Sequence, residues 1–267
     1  MKPILIRWIK ILIIVYCLAG IAIYYLQDYL LFRPEAVNRN YKYDFPLKNK
    51  EVNIPYTSRS NINIIQFLPA VSPPKGVVLY FHGNKMNISR YSRYSGMFTS
   101  NGYEVWMIDY PGYGKSTGDF TEQQLYDWAL LLYKLARVHY SRDSIIIYGK
   151  SMGTGIAAQL ASVRDCRNLI LETPYYNFPS IIGSYAFIYP VNNMIRFKIP
   201  TWQFLQQVTA PVNIFHGTND WIIPLRNARK LIPFLKPSDQ FTIIENGRHN
   251  DLPDFPVFLQ KLDSLLK

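Results

Sequence analysis

The chain has 267 residues, of which 49% are hydrophobic and 18% are charged, and its formal net charge is +11. This composition excludes an intrinsically disordered chain and allows one substantial core, so we expect one catalytic domain with an appendage. The basic residues occur in runs no longer than two, which favours an anionic membrane surface over nucleic acid as a partner. The two cysteines, Cys17 and Cys166, predict no disulfide framework, because Cys17 falls inside an apolar segment.

The first predicted element is an apolar helix near the N-terminus. Residues 11–26 carry no charge, and with their apolar flanks they approach the ~20 residues that span a bilayer. No small-residue cleavage pattern follows, and Tyr16 stands where a lipoprotein site needs a small residue, so we predict an uncleaved single-pass anchor. The basic residues closest to it precede it, which indicates a catalytic domain on the non-cytoplasmic side. They are Lys2, Arg7 and Lys10.

Short β-branched runs then alternate with helical periodicity. The predicted strands are 52–56, 62–67, 77–81, 103–108, 145–148, 168–172, 212–215 and 240–244. The predicted helices are about 89–99, 125–138, 152–161, 224–235 and 255–266. This alternation predicts an α/β fold in which helices cover both faces of a mostly parallel sheet. Functional residues of such a sheet gather at the carboxyl ends of its strands.

Residues 175–208 interrupt the alternation. They hold nine aromatic residues and are too long and too apolar for an ordinary connection. We expect an inserted cap folded over the strand ends. The predicted organisation is an anchor over residues 1–32, a connector over 33–50 and a catalytic domain over 51–267.

The strongest motif is Gly149-Lys-Ser151-Met-Gly153, between a predicted strand and a predicted helix. The glycines admit a close approach of strand and helix, and a serine in such a turn is strained with its hydroxyl projecting. Amides at the start of the next helix favour a developing negative charge. The motif predicts a nucleophile elbow with Ser151 as the nucleophile, and a merely glycine-rich packing turn is the alternative.

A serine hydroxyl needs a neighbouring base, and the base needs an acid to orient it. His249 follows the last predicted strand, at the edge of the sheet where Ser151 is expected, and we interpret it as the base. A surface histidine is the alternative for His249. The remaining histidines stand at turns or at a helix end and are interpreted as structural or solvated: His82, His139 and His216.

Asp220 is the predicted acid, because it directly follows a predicted strand. Ser151, Asp220 and His249 then occur in the chain order expected for a nucleophile elbow. Glu172, one strand earlier, is an alternative acid. Asp251 is another, disfavoured by its closeness in sequence to His249.

Two backbone amides are predicted to stabilise the oxyanion. One belongs to Met152, the residue after the nucleophile, and the other to Asn84, in the loop after strand 77–81. A simple tight turn is the alternative for that loop. We interpret residues 109–114 as a structural turn and expect Lys150 to point into solvent.

Together these motifs make residues 50–267 resemble the α/β-hydrolase superfamily of serine hydrolases. The motifs are His82-Gly83-Asn84, Asp109-Tyr-Pro-Gly-Tyr-Gly-Lys-Ser116, Gly149-Lys-Ser-Met-Gly153, His216-Gly-Thr-Asn-Asp220 and Gly247-Arg-His-Asn250. The apolar segment followed by Leu30-Leu-Phe-Arg-Pro34 resembles the membrane-anchored branch of α/β-hydrolase-domain proteins. The resemblance implies the α/β-hydrolase fold and hydrolysis of esters or thioesters, sometimes of lipids or acylated proteins, without a cofactor. The resemblance does not indicate which substrate the cap would recognise.

Other classes of function fit the sequence less well. Two Gly-Lys-Ser segments lack the earlier glycine of a phosphate-binding loop, since positions 109 and 144 hold Asp and Ser. No His-Glu-x-x-His motif or Cys/His cluster suggests a metal site. By resemblance, a dehalogenase or epoxide hydrolase would use an aspartate nucleophile. The sequence favours a serine hydrolase acting on acyl or lipid-like substrates, and the alternatives are a peptidase or a silent membrane-tethered binding domain. The oligomeric state stays open.

Overall fold

A computed structural model describes residues 3–267 of the protein. The strands are β1 (Arg33–Pro34), β2 (Asn49–Pro55), β3 (Asn61–Phe67), β4 (Gly76–Phe81), β5 (Lys85–Met86), β6 (Tyr103–Ile108), β7 (Ile145–Lys150), β8 (Asn168–Glu172), β9 (Val212–Gly217) and β10 (Gln240–Ile244). The helices are α1 (Pro3–Leu31), α2 (Ile88–Tyr91), α3 (Gly96–Thr99), α4 (Glu122–His139), α5 (Met152–Val163), α6 (Phe178–Gly183), α7 (Val191–Met194), α8 (Thr201–Leu205), α9 (Leu225–Ala228) and α10 (Pro256–Leu266).

The first helix, α1, is long and apolar. The most apolar 18-residue window within its segment Pro3–Tyr29 has a mean hydropathy of 2.2, and none of that window is buried. At about 1.5 Å per residue a helix of 29 residues is about 43 Å long, which exceeds the ~30 Å hydrocarbon core of a bilayer. By length and composition, α1 is therefore able to cross a membrane.

Eight strands form one sheet in the order β10-β9-β8-β7-β4-β6-β3-β2. Only the pairs β2–β3 and β3–β6 are antiparallel, so the predicted mostly parallel sheet is confirmed. Each buried strand sends alternate side chains to opposite faces, as the period of two requires. On β7, for example, Ile147 packs in one hydrophobic cluster and Ile146 packs in the other.

Helices cover both faces of this sheet. Leu132 of α4 and Ile156 of α5 lie in the first cluster, whereas Phe98 of α3 and Leu262 of α10 lie in the second. Every one of these side chains is fully buried. This layered arrangement confirms the α/β fold class predicted from the sequence.

The chain reverses direction across the sheet at β4. β6 lies on one side of β4 and β7 lies on the other, which makes the carboxyl end of β4 a topological switch point. The register pairs Phe81 at the end of β4 with Gly149 near the end of β7. The loop after β4 and the loop after β7 are therefore neighbours, and this places His82 to Asn84 beside Ser151.

Residues 175–208, between β8 and β9, form the three short helices α6, α7 and α8, and we refer to them as the cap. The cap packs on α1 from the middle of the helix to its C-terminal end. Tyr189 stacks on Tyr16 with ring centroids 4.6 Å apart, and Gln27 Nε2 donates to the Met194 carbonyl at 3.1 Å. These contacts join the apolar helix to the part of the protein that covers the strand ends.

Two predicted helices differ from the observed structure. The segment 89–99 is divided into α2, a 3-10 turn and α3. The segment 224–235 is α-helical only over α9 and continues as a 3-10 helix containing Pro233, which has no amide to donate. The connector 33–50 also contributes β1, which pairs with β5.

Candidate active site

Ser151 lies in the tight turn between β7 and α5. Its backbone angles are φ 53° and ψ −120°, a strained conformation for a residue with a side chain. The turn is tight because a Cβ on Gly153 would strike the carbonyl oxygens of Phe81 and His82. The start of α5 is thereby held against the end of β4, with the Ser151 hydroxyl at the carboxyl edge of the sheet.

Ser151, His249 and Asp220 form one chain of hydrogen bonds. The Ser151 hydroxyl donates to His249 Nε2 at 2.8 Å, and His249 Nδ1 donates to Asp220 Oδ2 at 2.7 Å. All three residues are less than one tenth exposed. The structure thus brings together three residues that lie far apart in the sequence, in an arrangement suited to proton transfer from a hydroxyl.

Asp220 is held as an anion in this chain. Its Oδ1 accepts the amides of Ile222 and Ile223, each at 2.8 Å. Burial raises the pKa of Asp220, but the hydrogen bond and charge of His249, the Ile223 amide and the charge of His216 outweigh burial and bring its pKa below the usual aspartate value. A carboxylate that stays ionised fixes the His249 ring and its tautomer.

The alternative acids have other roles. Glu172 forms a buried ion pair with Lys150 and accepts the Tyr148 hydroxyl. Asp251 accepts the Arg248 amide at 2.6 Å within its own loop. The expectation that Lys150 points into solvent is wrong: the side chain is 1% exposed, because Glu172 behind the elbow supplies a buried countercharge.

The two predicted oxyanion donors lie beside the nucleophile. Asn84 and Met152 line the same cavity as Ser151. In the part of the chain that the structure describes, neither backbone amide donates a backbone hydrogen bond. Asn84 is fixed from its other groups, since its carbonyl accepts the Arg33 amide at 2.9 Å and the Tyr113 hydroxyl at 2.9 Å.

The other histidines do not reach Ser151 by hydrogen bonds. His82 is fully buried with Nε2 3.2 Å from Asp109 Oδ1, and its ring packs on Tyr110. His216 Nε2 donates to the Ile223 carbonyl at 2.9 Å, and burial lowers the pKa of His216. His139 contacts the Trp106 ring at the end of α4.

An apolar cavity of about 310 Å³ opens at Ser151. Its walls come from the end of α1, the cap and the loop after β9. They include Leu31, Tyr175, Phe178, Ile182, Trp221 and Ile222. We call it the apolar cavity, and its lining suits a hydrocarbon group attached to a carbonyl at Ser151.

A second cavity, of about 180 Å³, also reaches Ser151. It shares Asn84 and Ile222 with the apolar cavity, but its other walls are different. They include His249 and the four basic residues Arg33, Lys85, Arg90 and Lys150. We call it the basic cavity.

In residues 3–267, no cluster of three or more His, Cys, Asp or Glu side chains is placed to hold a metal ion.

Comparison with known proteins gives a consistent result. The family model described as serine aminopeptidase, S33, matches residues 72–204. The alpha/beta hydrolase domain-containing protein 17C of Mus musculus is 27% identical over 224 residues, which cover 81% of this chain and 67% of that protein. The Homo sapiens protein of the same name is also 27% identical, over 65% of its length.

Solved structures share the architecture. An esterase from Pyrococcus furiosus superposes with a TM-score of 0.68 at 17% identity, covering 88% of this chain and 97% of the esterase. The chain has the α/β-hydrolase fold. A soluble variant of the monoglyceride lipase of Saccharomyces cerevisiae, in complex with a substrate analogue, has a TM-score of 0.65 at 15% identity, over 86% of this chain and 98% of the lipase. At such identities these structures show a shared fold alone.

Sequence reasoning missed two features of this site. The first is the buried pair of Lys150 and Glu172, which the alternation of β7 and β8 side chains could have suggested. The second is the basic cavity. Arg33 stands in the segment after α1, but no sequence pattern connects it with residues that follow β4.

Proposed function

We propose that this α/β-hydrolase is a membrane-anchored serine hydrolase that cleaves carboxylic esters or thioesters of apolar acyl groups. The observation that supports this most directly is the hydrogen-bonded chain from Ser151 through His249 to Asp220 at the mouth of an apolar cavity. The three side chains supply a nucleophile, a base and an orienting anion, and the cavity supplies room for an acyl chain.

The proposed reaction begins with attack by the Ser151 oxygen on the substrate carbonyl carbon. His249 Nε2 takes the hydroxyl proton as the new C–O bond forms. Asp220 keeps the opposite ring nitrogen protonated and stabilises the imidazolium. The carbonyl oxygen becomes an anion, and the amides of Asn84 and Met152 are the donors we assign to it.

The tetrahedral intermediate then collapses. The bond between the carbonyl carbon and the leaving oxygen or sulfur breaks, and His249 donates its proton to the departing alcohol or thiol. The acyl group stays on Ser151 as an ester. Water attacks that ester with His249 again acting as base, and the carboxylic acid leaves with Ser151 restored.

The lining of the apolar cavity favours acyl substrates over peptides. An aminopeptidase must bind the ammonium group of its substrate, for which a carboxylate is the natural partner. Among the described residues that line the two cavities at Ser151, none is Asp or Glu. A peptidase using the same three residues is therefore less favoured by this site than an esterase or thioesterase.

We propose that α1 anchors the protein in a membrane, with the catalytic domain on the non-cytoplasmic side. Support comes from its apolar length and from Arg7 and Lys10 near its N-terminus. Protease treatment of intact spheroplasts or sealed vesicles tests this. A catalytic domain digested only from the cytoplasmic face would contradict the proposed orientation.

The function is tested with a p-nitrophenyl ester series, from acetate to palmitate, and a fluorophosphonate probe. We expect turnover that peaks at an acyl length matching the apolar cavity, and labelling of Ser151. Ser151→Ala should lose both while keeping the circular dichroism spectrum of the wild type. A folded wild type with neither turnover nor labelling would favour the silent binding domain.

A further inference from the structure

The two cavities that meet at Ser151 differ in chemistry. The apolar cavity is walled mostly by hydrocarbon and aromatic side chains, whereas the basic cavity presents cations. An ester has two parts on either side of its scissile bond, so each cavity can receive one part. The position of His249 decides which part goes where.

His249 lines the basic cavity and not the apolar one. In the proposed reaction His249 must reach the leaving oxygen or sulfur to protonate it. His249 also lines a cavity of about 270 Å³ beside Arg248 and Asp251, but the lining of that cavity does not include Ser151. Because Ser151 and His249 both line the basic cavity, the leaving group departs through it. The acyl group occupies the apolar cavity.

Three cations of the basic cavity are free to meet a ligand. In residues 3–267, Arg33, Lys85 and Arg90 form no salt bridge, and the Arg90 guanidinium donates a hydrogen bond to the sulfur of Met86. Lys150 is different, because the Glu172 carboxylate already neutralises its charge. No carboxylate lines the cavity, so its positive charge is not neutralised from within.

The backbone holds these cations together. Arg33 of β1 pairs directly with Lys85 of β5 in the two-stranded ribbon. Arg90 follows on α2, whose first turn is capped by the side chain of Asn87. The same ribbon fixes Asn84, whose carbonyl accepts the Arg33 amide, so the cations are attached to the loop that we assign to the oxyanion.

We propose that the substrate is an acyl ester or thioester whose leaving group carries a phosphate, bound by Arg33, Lys85 and Arg90. This rests on the proposed function and deepens it. Arginine and lysine are the usual partners of phosphate groups, and arginine binds them in a bidentate manner. The phosphate can belong to a lipid headgroup, since Arg33 follows the membrane helix by two residues, or to a soluble phosphorylated alcohol or thiol.

The test compares matched substrates with one acyl chain. The purified full-length protein is assayed with 1-decanoylglycerol 3-phosphate and with 1-decanoylglycerol, which differ only in the phosphate. We expect kcat/KM to be at least about tenfold higher for the phosphorylated ester, the effect of a charge-assisted contact or two. The kcat/KM for decanoyl-coenzyme A in solution is then compared with that for 1-decanoylglycerol 3-phosphate in vesicles. A higher value for the coenzyme A thioester indicates a soluble source of the phosphate, and a higher value for the vesicle substrate indicates a lipid source.

Variants show which residues carry the preference. In Arg33→Gln/Lys85→Gln/Arg90→Gln the ratio of the two kcat/KM values should fall towards one. A charge-matched control removes three exposed cations elsewhere, Lys50→Gln/Lys134→Gln/Lys267→Gln, and should keep the wild-type ratio. A fall of the same size in the control would assign the preference to net charge and overturn the site.

One measurement needs no variant. With a neutral p-nitrophenyl ester as substrate, glycerol 3-phosphate should inhibit the wild type competitively and glycerol at the same concentration should not. The inhibition should weaken as salt is added, because the cations are partly exposed.

The two hypotheses fail in different ways. Equal kcat/KM for the phosphorylated and neutral esters, in a protein whose Ser151 is labelled by the fluorophosphonate probe, would overturn the phosphate site and leave the hydrolase intact. No labelling and no turnover of any ester would overturn the hydrolase itself.

Discussion

Two of the buried histidine–aspartate pairs in residues 3–267 lie at the same edge of the sheet, and of these two only one is placed to serve a nucleophile. His249 Nδ1 lies 2.7 Å from Asp220, and His82 Nε2 lies 3.2 Å from Asp109. In each pair both residues follow strands of the same sheet. The two pairs therefore consist of the same two residue types at the same edge of the sheet.

Their surroundings differ. The second ring nitrogen of His249 accepts the Ser151 hydroxyl, whereas that of His82 donates to the Gly83 carbonyl at 2.7 Å. The ring of His82 is stacked with Tyr91 and packed on Tyr110. His249 therefore faces a cavity that a substrate can enter, and His82 is enclosed in the core.

The carboxylates differ as well. Burial raises the pKa of Asp109 above the usual aspartate value, and His82 with the Ile88 amide does not offset it. For Asp220, burial is outweighed by His249 and the backbone amides, and the pKa is lowered. The geometry of a His–Asp pair is thus suited to catalysis only where the second nitrogen meets a nucleophile and the carboxylate is held charged.

The largest expected effect separates the two histidines by activity. His249→Ala should lower kcat by about 10⁶-fold, because the proposed base is gone. Only the acceleration of about 10³–10⁴-fold over water that oxyanion donors and substrate binding supply would remain. His82→Ala should chiefly lower the free energy of unfolding, by about 1–3 kcal/mol, since it leaves buried polar groups unpaired. Ester turnover and urea denaturation of both variants measure this. A folded His82→Ala as inactive as His249→Ala would erase the distinction between the pairs.

The second effect concerns Lys150, which supports the loop that carries His249. Lys150 Nζ lies 3.4 Å from the His249 carbonyl and neutralises Glu172. Lys150→Met should lower the free energy of unfolding by about 3–5 kcal/mol, because it leaves a buried carboxylate without its partner. Lys150→Met/Glu172→Gln is the matched control and should recover part of that loss. Equal stabilities of the single and double variants would mean that Glu172 is not charged in the folded protein.

The third effect compares two glycines of α5. A Cβ on Gly153 would meet backbone carbonyl oxygens of Phe81 and His82, whereas a Cβ on Gly155 would meet side chains of Ile199 and Tyr175. Backbone yields less than side chains, so Gly153→Ala should destabilise by about 1–3 kcal/mol and reduce activity. Gly155→Ala should be milder, since the cap can shift and alanine favours a helix by about 0.5–1 kcal/mol. Thermal denaturation and ester turnover compare the two. A milder Gly153→Ala would show that the elbow is not held against β4 as closely as described.

The smallest expected effect is on the pH dependence of the free energy of unfolding at acid pH. It has opposite signs for Asp220 and Asp109. Asp220 has a lowered pKa, so its stabilising contribution is present above the unfolded value of about 3.9 and is lost as pH falls through the folded value. Asp109 has a raised pKa, so its contribution is present below about 3.9 and is lost as pH rises towards the folded value.

Urea denaturation between pH 3 and pH 7 tests these signs. As pH falls, the stability of the wild type should decrease relative to Asp220→Asn and increase relative to Asp109→Asn. Parallel curves for all three proteins would show that the two carboxylates titrate alike in the folded and unfolded states.

The sequence predicted much of this molecule by itself. The alternation of buried strands and helices predicted the parallel sheet, and the glycines around Ser151 predicted the turn that the backbone angles display. Ser151, Asp220 and His249 could be proposed because each follows a strand, and parallel strands deliver their carboxyl ends to one edge. Such features depend on local sequence and on the side-chain periods of two for a strand and 3.6 for a helix. These periods can be identified in the sequence without knowledge of tertiary contacts.

Only the tertiary structure decided the rest. The cap packs on α1 through Tyr189 and Tyr16, residues separated by most of the chain. Lys150 looked like a surface residue until Glu172 of the neighbouring strand was placed beside it. Arg33 and Lys85 meet because β1 pairs with β5. The energies of such contacts depend on partners that are distant in sequence, so no local pattern reveals which side chains share a cavity or a charge.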